Sequence, residues 1–184
     1  TTIAQLRSLN LLGVQFALPM TSVAQGLVPT RQWKLANRGQ PWVVGDSINA
    51  SIGQGFVLAS PTQLAVMTAR LATSRQIMPR LVKSIDGVEQ PSGHGGDLGL
   101  NENHLREVRR AMYAVTNSNR GTAYRSRIVE DTMRMAGKTG TSQVRNISSG
   151  ERATGVLSNN ALPREQRDHA LFVDYAPYDA PKYA

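Results

Sequence analysis

The chain is 184 residues long and 40% apolar, with a mean hydropathy of −0.31 and no cysteine, which suits one domain with a real core and excludes disulfides, thiol catalysis and most zinc sites. A formal net charge of +8 and a pI near 10.4 favour acidic partners, but the basic residues are dispersed and aromatics make up only 5%, which argues against nucleic acid and fits an anionic polymer or membrane face. No run of about 18 apolar residues and no signal peptide occurs, so a membrane anchor would lie outside this sequence.

In chain order, Ile3, Leu6, Leu9 and Val14 recur at near-helical spacing, so Thr1 to Phe16 reads as a helix tail stopped at Gly13. Leu18 to Thr30, with two prolines after position 18 and Gly26, reads as irregular connection. Trp33 and Trp42 bracket a polar stretch expected to be a surface excursion pinned by its indoles. Ser60, Pro61 and Gln63 fit N-cap, N1 and N3 of a helix, whose Leu64, Met67 and Leu71 would form its apolar face with Val66 and Ala69 beside it. Met78 to Ile85 alternates as a strand turning at Asp86-Gly87, and Ser92 to Gly99 reads as a glycine-rich loop. Asn101 caps a second helix with Leu105, Val108, Met112 and Val115 on one face and Glu102, Arg106, Glu107, Arg109 and Arg110 turned to solvent. Asn146 to Arg167 is a long polar loop, expected to be a mobile flap. Asp168 to Ala176 is a strand ended by Pro177, and Pro181 to Ala184 a further strand cut off as it begins. His94, His104 and His169 are too scattered to suggest a metal site, and nothing implies a cofactor.

The most informative stretch is Met133 to Val144, a strand with little side-chain bulk along its middle. Gly140 lets another backbone approach, Lys138 supplies a fixed positive charge, and Thr139, Thr141 and Ser142 supply hydroxyls. That is a surface for holding a peptide carboxylate, with a groove expected beside the lysine. A phosphate-binding loop is the competing reading of Gly137-Lys138-Thr139, but G-x-x-x-x-G-K-[ST] requires glycine where the chain has Thr132.

Lys138-Thr139-Gly140-Thr141 resembles the K-T-G-[ST] element of penicillin-binding proteins and serine β-lactamases. The resemblance becomes specific through Trp33-Lys34, Trp42 with Gly45-Asp46, Ser51-Ile52-Gly53-Gln54-Gly55, Ser60-Pro61-Thr62-Gln63-Leu64, Asn117 to Ala123, and Asp168-His169-Ala170-Leu171-Phe172. In order and over nearly the whole chain these resemble the transpeptidase domain of class B penicillin-binding proteins of the elongation type. The resemblance implies an α+β fold, an antiparallel sheet with packed helices, incomplete here. Residues 1–184 would be the C-terminal portion of the domain.

No serine has lysine three residues later, so the nucleophile element S-x-x-K is absent, Ser142 with Arg145 coming nearest. The S-x-N matches at Ser8, Ser47 and Ser158 do not sit where the family places that element. The implied chemistry is D,D-transpeptidation of peptidoglycan by serine acyl transfer, with stem peptides as substrates and β-lactams acylating the same serine, which this chain lacks. Lys138 would then support catalysis and bind the substrate carboxylate with the Thr139 and Thr141 hydroxyls, Gly140 would admit the peptide, and the Thr141 N–H would be one oxyanion donor. By the same resemblance the partners are a SEDS-type glycosyltransferase and the elongation machinery, at the periplasmic face of the bacterial inner membrane. A β-lactamase-like hydrolase, marked by fast deacylation, and a non-catalytic scaffold or sensor module remain open.

Overall fold

The computed structural model of the chain describes residues 12–13, 15–20, 22–91, 94–145 and 147–184. Its helices are α1 (Arg31–Arg38), α2 (Val44–Ser51), α3 (Pro61–Thr73), α4 (Glu102–Asn117) and α5 (Ser149–Thr154). Its strands are β1 (Arg75–Ile77), β2 (Ser84–Ile85), β3 (Val88–Glu89), β4 (His94–Asp97), β5 (Ala136–Ser142) and β6 (His169–Tyr175). Among the described residues the strands form three antiparallel pairs, β1 with β4, β2 with β3, and β5 with β6. This is the α+β class. The helix expected over 1–16 lies outside the described residues except near its end, where Leu12 and Phe16 are buried.

The longest ladder is β5 on β6, in unbroken register from Ala136 opposite Tyr175 to Ser142 opposite His169. α4 packs along β5 and α3 against β6. The core closes where they meet, Ala72 of α3 and Met112 of α4 burying Ala136 and Tyr175, with Tyr113 and Tyr178 packed around them. Tyr178 also stacks on Tyr175 with ring centroids 6.3 Å apart.

α3 begins where its cap predicts. The Ser60 hydroxyl accepts from the Gln63 amide at 3.2 Å, the Gln63 side-chain oxygen accepts from the Ser60 amide at 2.9 Å, and Pro61 sits where no N–H is required. Its buried positions differ from the expected apolar stripe. Leu64, Met67 and Leu71 are only half-buried, while Gln63, Val66, Thr68, Arg70 and Ala72 go deepest. The reason is that this side of the helix meets backbone that needs donors: Gln63 Nε2 donates to Gln25 O at 2.8 Å and Arg70 Nε to Ile77 O at 2.9 Å. Arg70 also lies over the Phe16 ring.

α4 starts at its Asn101 cap, which accepts from the Asn103 amide, but Arg109 is not turned to solvent. Its guanidinium donates to Leu71 O at 2.7 Å, to Glu102 Oε1 at 2.9 Å and to the Ser74 hydroxyl, tying the end of α3 to the start of α4.

Three expectations for the connections are corrected. The stretch between the tryptophans lies largely on the surface as expected, but it is helical as far as Arg38: Thr30 caps α1 by accepting from the Trp33 amide at 3.0 Å. Only Ser84 and Ile85 of the Met78–Ile85 run are strand, and they turn at Asp86-Gly87, both at positive φ (50° and 82°), into β3. The glycine-rich loop is partly a strand, β4 pairing with β1. A Cβ at Gly95 would come within 2.8 Å of Gln76 O, so the missing side chain is what permits the close approach.

The long polar loop likewise contains α5, capped by Ser148 and held by Arg145 to Glu151 at 2.7 Å, and two short 3-10 turns. Its base is joined by Asn159 and Asp168, which exchange bonds of 2.8 and 3.1 Å. The final strand is reduced to a single bridge, Ala176 with Tyr183.

Candidate functional site

Two helix-end side chains fix the entry to β5. The fully buried Thr116 hydroxyl donates to Met135 O at 2.7 Å, and Asn117 Nδ2 donates to the same carbonyl at 2.9 Å. The sequence gives a signal for this only in hindsight: two polar residues closing an apolar helix face, immediately before a turn. From Met135 the burial pattern opens, with Ala136 and Gly137 buried, Thr139 half-buried, and Lys138, Gly140, Thr141 and Ser142 exposed.

Lys138, Thr139, Gly140 and Thr141 therefore lie consecutively on one strand, opposite Val173, Phe172, Leu171 and Ala170 of β6. Alternation along a strand sends the Lys138 side chain to one face and Thr139 and Thr141 to the other. The Lys138 ammonium folds back onto the Thr139 carbonyl oxygen, and the Thr139 hydroxyl meets that of Thr122 at 3.0 Å. β5 is paired along one edge only among the described residues, so its second edge presents backbone donors and acceptors.

A cleft of about 150 Å³ lies between α3 and β6, lined by Leu64, Ala65, Thr68, Leu171, Phe172 and Asp174 among others, and Lys138 is not part of its lining. It is also smaller than the roughly 300 Å³ at which ligand pockets begin. Burial raises the Asp174 carboxyl above its ordinary range, and it pushes the Tyr175 phenol up to about 12.

Among the described residues no serine hydroxyl is hydrogen-bonded to a lysine amine. Ser47 accepts from the Trp42 indole at 2.9 Å within α2, and Ser158 only precedes a 3-10 turn. Lys34, the other half of the tryptophan signature, is buried and pairs with Asp46 at 2.6 Å. No three His, Asp or Glu side chains come together as a metal site among the described residues. No described helix is long and apolar enough to cross a membrane.

Comparison with known proteins extends this picture beyond the strand. A family profile described as the penicillin binding protein transpeptidase domain matches residues 11–184. The peptidoglycan D,D-transpeptidase MrdA of Acinetobacter baumannii is 34% identical over 179 residues, which cover 94% of this chain and 25% of that protein. A structure of penicillin-binding protein 2 in complex with MreC from Helicobacter pylori superposes with a TM-score of 0.76 at 32% identity, covering 98% of this chain and 30% of that one. Penicillin-binding protein 2 of Pseudomonas aeruginosa in complex with WCK 5153 gives 0.74 at 35% identity, covering 95% and 36%. The chain spans about a quarter of the length of the curated relatives it matches. With the match running through the cap of α3, the close of α4 and the whole β5–β6 ladder, the chain belongs to the transpeptidase-domain family of the penicillin-binding proteins.

Proposed function

We propose that this chain is the C-terminal portion of the transpeptidase domain of an elongation-type penicillin-binding protein 2, and that β5 is its carboxylate-binding strand. In the complete protein a serine outside this chain attacks the carbonyl of a D-Ala–D-Ala stem peptide. The peptide C–N bond breaks, the terminal D-alanine leaves with the proton on its amine, and the acyl group passes to an amine on a neighbouring strand. β-Lactams acylate the same serine.

With the carboxylate at the free edge of β5, Lys138 supplies positive potential and donors from one face of the strand, and the Thr139 and Thr141 hydroxyls donate from the other. The Thr141 N–H is one of two oxyanion donors, and the free edge of β5 pairs with the peptide by strand addition. The observation that carries this reading is the Lys138-Thr139-Gly140-Thr141 run, exposed but for the half-buried Thr139, on a strand paired along one edge among the described residues, within a family match that spans nearly the whole chain. The Helicobacter relative solved with MreC supports a place in the elongation machinery. A SEDS-type glycosyltransferase as partner, and the periplasmic face of the inner membrane as location, belong to the same proposal by family resemblance.

The test is Lys138→Ala in the full-length protein. Losing one transition-state donor of this kind removes about 3 kcal/mol, so penicillin acylation should fall about a hundredfold while the melting temperature holds. An unchanged acylation rate removes Lys138 from the site.

A further inference from the structure

Thr122 has no role in the chemistry above, yet its hydroxyl oxygen lies 3.0 Å from that of Thr139, seventeen residues on. The segment carrying it is pinned to the end of α4. The Gly121 amide donates to Ser118 O at 2.8 Å and the Ala123 amide to Val115 O at 3.1 Å. A Cβ at position 121 would sit 2.2 Å from Val115 O, so only glycine allows the chain to turn this tightly. The same helix end holds Met135 through Thr116 and Asn117. Thr122 and Thr139 are therefore set against each other by one corner of the fold. Both are β-branched, with few side-chain rotamers to choose from.

A hydroxyl has one proton to donate and two lone pairs to accept with. An ionised carboxylate accepts only. If Thr139 directs its proton to such a group, its bond with Thr122 has one remaining sense: Thr122 donates and Thr139 accepts. We propose that Thr122 is the positioning residue of this strand, donating to Thr139 Oγ1 so that the Thr139 proton is aimed at the ligand carboxylate. The bond fixes the Thr139 rotamer, and accepting one hydrogen bond makes Thr139 a stronger donor in the other. The inference rests on the transpeptidase reading above.

The experiment measures acylation of the full-length protein by a penicillin and by the methyl ester of the same penicillin, for wild type, Lys138→Ala, Thr122→Val and Thr122→Ser. One lost hydrogen bond predicts that Thr122→Val weakens pre-acylation binding of the acid about five- to tenfold with the acylation step unchanged. Thr122→Ser should restore it to within about twofold, and the ester, which has no ionised carboxylate, should lose less than about twofold in Thr122→Val. If Thr122→Val does not fold, Thr122→Ala against Thr122→Ser carries the same comparison. The inference falls if the valine variant binds the acid like wild type, if serine fails to rescue, or if acid and ester lose equally. Loss with Lys138→Ala but not with Thr122→Val overturns this inference alone; no loss with either overturns the transpeptidase reading as well.

Discussion

Asp46 shows how one carboxylate can organise a whole segment. Its Oδ2 accepts from the buried Lys34 ammonium at 2.6 Å and from the Val43 amide at 2.7 Å, in the first turn of α2, where the helix dipole also favours negative charge. These donors, the ammonium first, hold the carboxyl below its usual range. The folded value is depressed, so the stabilisation is complete above the unfolded value and is lost as pH falls through the folded one. The melting temperature should drop below about pH 4, and Asp46→Asn should be less stable at neutral pH with a flatter acid limb. An equally steep acid limb in the variant would show that another group carries the dependence.

At the scale of elements, α3 is fixed by its first turn. The Ser60–Gln63 box satisfies two amides that would otherwise lack partners, so Ser60→Ala should lower the unfolding free energy by about 1 kcal/mol, read by chemical denaturation. A change below a few tenths of a kcal/mol would mean that α3 is held by packing alone. Such caps are legible in a sequence because a cap is a local pattern of residue types at fixed offsets, which is why α3 and α4 are readable; β5 and β6 are readable from their strand-like runs, but their pairing is not local. α1 is hard to read because its end signals, Thr30 before Trp33 and Gly39 after Arg38, flank a largely polar run with little apolar periodicity. β4 was missed because two adjacent glycines signal a loop unless one knows that the Gln76 backbone lies against one of them. Arg109 departs from its expected place because two of its three acceptors, Leu71 O and the Ser74 hydroxyl, are far away in sequence, which no local pattern reveals. In the candidate site the run of residues was plain, but the Thr122 to Thr139 contact and the Thr116 and Asn117 bonds to Met135 belong to the tertiary fold.

The whole molecule exposes more than its mass requires. Its accessible surface is 12765 Å², where a compact monomer of 20.0 kDa would expose about 8,700 Å². Val44, Ile52 and Val129 are among several large apolar side chains more than half exposed. The proposed reading, a portion of a longer transpeptidase domain, accounts for this surface, and the chain spans about a quarter of the length of its curated relatives. The 184-residue chain alone should accordingly form no covalent penicillin adduct, having no S-x-x-K serine; a stoichiometric mass increase on incubation would overturn that. The Arg109 fork has one more consequence. A guanidinium keeps its proton at any pH a cell meets, and two of its three acceptors, Leu71 O and the Ser74 hydroxyl, carry no charge to lose. Acid therefore weakens the Lys34–Asp46 clamp between α1 and α2 while leaving these two bonds of the corner between α3 and α4 in place, so the two tethers should part at different pH.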